Sequence, residues 1–84
     1  MNFEIIGEIK KIRLIADKKR IRILQYLIES YGKGNWKKLS GEAAVEDENG
    51  ERFIAEVHYY EAPGIGRVDF KIIDKLRDID KEDI

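Results

Sequence analysis

The dipeptide Asn49-Gly50, set between two runs of alternating apolar and polar residues, restricts this chain more than any other feature. Both residues tolerate positive φ, which a two-residue hairpin turn requires at its centre. Over 37–46, Leu39, Gly41, Ala43 and Val45 fall on one side, and Lys38, Ser40, Glu42 and Ala44 on the other. Over 52–61, Phe53, Ala55, Val57 and Tyr59 oppose Ile54, Glu56, His58 and Tyr60. A period of two is that of a strand. Ala62-Pro63-Gly64 reads as a second turn. A third strand follows over 66–73, with Val68, Phe70 and Ile72 opposed to Arg67, Asp69 and Lys71.

The front of the chain has a different period. Ile21, Leu24, Leu27, Ile28 and Tyr31 recur at spacings of three and four, which predicts a helix over 17–31. Asp17 is placed to cap its start, and Gly32 and Gly34 to end it. Further upstream, Ile5, Ile9, Ile12 and Ala16 fit a helix, whereas Ile12, Leu14 and Ala16 fit a strand. A helix with a break near Asp17 is the reading adopted. The charged segment 74–84 reads as a short helix or a fraying tail.

These elements predict a single α+β domain over 1–84, with helical residues 1–32, a β-meander over 36–73 and a charged tail. The N-terminal helical segment would pack on one face of a three- to four-stranded antiparallel sheet, because each strand has an apolar face to bury. Its core would join Leu24, Leu27 and Ile28 to Leu39, Ala43, Val45, Phe53, Ala55, Val57, Tyr59, Val68, Phe70 and Ile72.

Composition limits the chemistry. The 84 residues contain no cysteine, which removes disulfides, thiolate metal sites and thiol nucleophiles, and favours a cytoplasmic setting. One histidine and no cysteine make a metal centre a poor fit, and no cofactor is implied. Met1 to Gly7 does not read as a signal peptide, and no apolar run is long enough for a membrane span. Charge is uneven: residues 1–40 hold ten Lys/Arg and four Asp/Glu, whereas 41–84 hold six and thirteen. A basic front half suits phosphate, while two halves attracting each other within the fold would explain the same numbers.

The polar side of the meander collects the candidate chemistry. Glu56 and His58 leave one strand on the same face, about 6–7 Å apart, and a cation from the third strand would lie about 5 Å to the side. Cleavage of RNA through a cyclic phosphate needs a base, an acid and cations to hold the charge that builds on phosphorus. Glu56 would be the base, His58 the acid, and Lys71 and Arg67 the cations. Lys38 would contact the strand, and Tyr60 and Trp36 would stack on bases. The same residues fit plainer roles: a solvated histidine, a Glu56–Lys71 ion pair, and Trp36 as a cap on the core edge. Glu42, Glu56 and Asp69 would repel a phosphate backbone.

Residues 31–41, Tyr-Gly-Lys-Gly-Asn-Trp-Lys-Lys-Leu-Ser-Gly, and 55–67, with Ala55-Glu56-Val57-His58-Tyr59-Tyr60-Glu61, form a pattern similar to small bacterial domains found alone or at the C-termini of polymorphic toxins. Those domains resemble the metal-independent ribonucleases that include barnase, colicin D and RelE. The resemblance covers about residues 18–73. It implies helices before a four-stranded antiparallel sheet, a toxin-like ribonuclease activity on one sheet face, RNA as substrate and an inhibitory partner protein. It points to His58, Lys38 and Lys71, with Arg67 and Tyr60 assisting. This chain has Tyr59 where that pattern has Trp, and Asp69 between Arg67 and Lys71. The competing expectation is a non-catalytic module that binds a protein or a nucleic acid, with homodimerisation by strand-edge pairing.

Overall fold

The computed structural model describes residues 2–79. It contains β1 (Phe3–Asp17), a single 3₁₀ turn (Lys18–Arg20), α1 (Leu24–Tyr31), β2 (Lys37–Asp47), β3 (Arg52–Ala62) and β4 (Gly66–Asp78). The strands form one antiparallel sheet in the order β1-β2-β3-β4.

The expected N-terminal helical segment is absent. Residues 3–17 form a 15-residue strand, and the described residues are 64% strand and 14% helix, so the α+β expectation gives way to a mostly β fold. Ile5, Ile6, Ile9, Ile12 and Ile15 are β-branched and suit a pleated surface better than a helix. Their helix-like spacing arises from irregularities in β1, whose pairing with β2 shifts register between Ile6 and Lys10 and again between Lys10 and Arg13. Gly7 (φ 75°) and Lys11 (φ 53°) lie at these shifts. Asp17 caps nothing with its side chain; it ends β1 opposite Lys37. The helix therefore has eight residues, and Gly32 (φ 117°) ends it, its N–H donating to the Ile28 carbonyl.

The hairpins match expectation in place and differ in detail. In the β2–β3 turn only Gly50 takes positive φ (80°), and the Asp47 carboxylate accepts hydrogen bonds from the amides of Asn49 and Glu51. At the next turn the Ile65 amide donates to the Ala62 carbonyl, with Gly64 at φ 85°, as in a type II turn with Pro63 leading. β4 continues to Asp78, so residues 74–78 of the expected tail are sheet. Residues 80–84 of that tail lie outside the described residues.

The expected single core is two clusters, one on each face. Leu39, Ala43, Val45, Ala55, Val57 and Tyr59 are buried on one face, flanked by Phe3, Ile5, Ile9, Phe53, Phe70 and Ile72. Among the described residues, no helix covers this face. The sheet curls over it, so that Phe3, Ile5 and Ile9 of one edge strand line a cleft with Arg67 and Phe70 of the other. The cleft encloses about 750 Å³. The second cluster buries Ile21, Leu27, Trp36 and Ala62, with Leu24, Ile28, Tyr60 and Val68 around them. Thus α1 sits on the His58 side of the sheet, at the end marked by Trp36 and Ala62.

A bulge in β4 explains the parting of Val68 from Phe70. Asp69 takes φ 55°, and the β3–β4 pairing shifts register between His58 and Tyr60. Val68 lies opposite Tyr60 on the helix side, while Ile72 lies opposite Val57 on the other. Among the described residues, no helix is long and apolar enough to cross a membrane.

Candidate functional site

Strand register sets the site as rows across the sheet. Ala16, Lys38, Tyr60 and Val68 form the row nearest α1. Arg13, Ser40, His58 and Lys71 form the next. Lys10, Glu42, Glu56 and Asp74 form the third, where three carboxylate positions are adjacent. Two rows that carry cations are therefore followed by one dominated by carboxylates down the same face.

His58 is half-buried, and its Nε2 lies 3.0 Å from Glu56 Oε2. In the neutral imidazole this nitrogen carries the proton it donates, which leaves Nδ1 as an acceptor. The contact joins Glu56 and His58 into one unit, in which the carboxylate orients the ring. Two groups acting from opposite sides of a phosphate would instead need space between them. Glu42, opposite Glu56, has Lys11 Nζ at 3.7 Å. Ser40, buried between Arg13 and His58, lines a cleft of about 410 Å³ with Lys11, Arg13, Glu42, Glu56 and Leu76. No group of three His, Cys, Asp or Glu among the described residues is arranged to hold a metal ion.

Of the residues singled out in the sequence, Glu56, His58, Lys71, Lys38 and Tyr60 share this face. Lys71 is exposed directly opposite His58. Lys38 Nζ stands 5.9 Å from the centroid of the Tyr60 ring. Tyr60 is half-buried in the helix-side cluster, and burial, assisted by the Asp69 charge, raises its phenol above the usual range. Arg67 and Trp36 are not part of the group. The Arg67 side chain is on the opposite face, where Nε donates to Glu61 Oε1 at 2.9 Å and the guanidinium stands 5.5 Å from the Tyr59 ring centroid. Glu61 raises the guanidinium further above its ordinary value. Trp36 is fully buried, and its Nε1–H donates to the Gly32 carbonyl at 2.9 Å. It serves the helix-side core and presents no ring to a base.

A second feature adjoins the Lys38–Tyr60 row and was not resolved by sequence reasoning. Residues 17–38 carry seven cations, Lys18, Lys19, Arg20, Arg22, Lys33, Lys37 and Lys38, against Asp17 and Glu29. Topology gathers them at one end: the Lys18 amide donates to the Trp36 carbonyl, and Asp17 pairs with Lys37. Among the described residues, none of Lys18, Lys19, Arg20, Arg22, Lys33 and Lys37 has a carboxylate within 4 Å; the ion pairs lie elsewhere. Lys11–Glu42 links the basic front half to the acidic back half. The charge imbalance was visible in the sequence, but not the gathering of these cations at one end of the sheet.

Tyr26 and Tyr31 lie at the same end, 48% and 39% exposed. Their rings meet edge to face at 6.4 Å, and Tyr31 also approaches Trp36 at 6.1 Å. The Tyr31 hydroxyl donates to Asp69 Oδ1 at 2.5 Å, and this bond holds its proton above the ordinary phenol range. No family model, curated protein or solved structure matches the chain.

Proposed function

We propose that the protein is a non-catalytic nucleic-acid-binding module whose contact surface is the cationic end beside α1. The observation that carries this reading is the set of cations over 18–37 that have no carboxylate within 4 Å among the described residues. Like charges held close together raise the energy of the free protein. A phosphate backbone relieves that repulsion and releases its condensed counterions on contact. Lys38 and Tyr60 extend the surface toward Ser40 and His58, and the row of Glu42, Glu56 and Asp74 sets its far limit by repelling phosphate.

The test is binding of a fluorescent RNA followed by anisotropy across a salt series. The logarithm of affinity should fall linearly with the logarithm of salt, and each cation removed should reduce the slope by about 0.7 for a single strand. Replacing Lys18 and Lys19 together by glutamate should weaken binding at least about tenfold, since opposing charges are added where phosphates would lie. No binding at micromolar protein in about 50 mM salt, or an unchanged affinity in that variant, sinks the reading.

A second reading, a metal-independent ribonuclease of the toxin-like kind, is favoured by the His58–Glu56 contact. There His58 would be the one acid–base group and Lys71 the neighbouring cation. The same incubations in EDTA separate the two: intact RNA supports the binding module, and 2′,3′-cyclic ends that vanish in His58→Ala support the nuclease.

A further inference from the structure

We infer that the cationic end takes single strands in preference to duplexes, with Tyr26 as the residue on which a base stacks; this rests on the binding reading above. Tyr26 belongs to neither apolar cluster, so packing of the core does not account for an aromatic ring at this position. About half of its surface is open. Its position is nonetheless defined. Asp69 holds Tyr31 by the hydroxyl, and the Tyr31 ring meets Tyr26 edge to face. The bulge at Asp69 thus braces an exposed ring through two contacts. An aromatic face that is fixed before binding loses little freedom when a base settles on it.

The surroundings select the form of nucleic acid. Reading a duplex through its groove calls for a helix or ribbon that carries donors to the bases. The helix α1, Leu-Gln-Tyr-Leu-Ile-Glu-Ser-Tyr, contains no Lys or Arg and one Glu. Its cations lie on the flanks, Arg22 four residues before Tyr26 and Lys33 two residues after Tyr31, with Lys18 tied by its amide to Trp36. A ring flanked by cations suits an unpaired strand, with bases on the ring and phosphates on the sides. Tyr60, half-buried against α1 with Lys38 above it, offers much less open face than Tyr26.

Anisotropy titrations with a labelled 12-nucleotide RNA and with its duplex test the inference. The single strand should bind at least about tenfold tighter, and Tyr26→Ala should weaken it about 5- to 100-fold, as expected for one lost stack. Duplex affinity and the salt slope should not change in that variant, and Tyr26→Phe should restore single-strand affinity. Equal affinity for the two forms, or an unchanged single-strand affinity in Tyr26→Ala while the Lys18/Lys19 variant still loses binding, overturns the inference and leaves the binding module standing. Loss of effect in the lysine variant overturns both.

Discussion

Tyr59 shows how one side chain can serve the fold at a cost. Its ring is fully buried, stacked on Phe70 at 4.9 Å, yet its hydroxyl has no partner among the described residues. Burial raises the phenol above its usual range, and the nearby Arg67 charge partly offsets this. A buried donor left without a partner is destabilising by roughly 1–3 kcal/mol. Tyr59→Phe should therefore leave stability unchanged or raise it by about 1 kcal/mol in urea unfolding. A loss of more than about 1 kcal/mol would mean that the hydroxyl is bonded after all. At this scale the sequence was informative about neighbours: Glu56 and His58 do share a face, with Lys71 beside them. It misplaced Arg67, because simple alternation across 66–73 takes no account of a bulge at Asp69.

Among the elements, β2 and β3 were legible and β1 was not. Strict alternation, Asn49-Gly50 and Pro63-Gly64 leave a hairpin pair few alternatives. In β1 the positive φ values at Gly7 and Lys11 re-phase the strand, so its isoleucines acquire a spacing that imitates a helix. The same strand makes a demand on β2. Gly41 lies under β1, where a methyl group would run into the Ile9 side chain and lie 3.2 Å from the Lys10 carbonyl oxygen. Gly41→Ala should push the two strands apart and cost about 1–3 kcal/mol, read as a lower urea midpoint at constant m-value. A midpoint equal to that of the parent would show that β1 is free to shift. The bulges also act on the outer edge of β1, where Ile12, Leu14 and Ile15 are exposed, since an irregular edge is a poor template for another strand.

Taken whole, the molecule is elongated, 39 × 23 × 21 Å, and its charge is sorted along that length. The cations of 18–38 gather where β2 begins, and Glu46, Asp47, Glu48 and Glu51 where it ends. Eleven residues of strand separate them, on the order of 35 Å. The sequence disclosed the imbalance but not that α1 would settle at one end, because an apolar stripe does not choose between two faces of a sheet. The face expected to need the helix is instead flanked by the curling edges of the sheet, which leave an open cleft between them. Both clusters draw on β3: Val57 and Tyr59 point to one, Tyr60 and Ala62 to the other. The two should melt together, so Trp36 fluorescence and far-ultraviolet circular dichroism should give coincident urea transitions. Separate midpoints would show that the helix end is an independent unit.

The neighbour-to-neighbour order of the strands bears on how the chain reaches this state. Every strand joins the one synthesised just before it, so no segment must wait for a distant partner or thread past one. The short turns after β2 and β3 let those hairpins close locally, while the β1–β2 link, which contains α1, closes the longest loop. During translation the growing sheet would extend one strand at a time, each new strand finding its template already waiting.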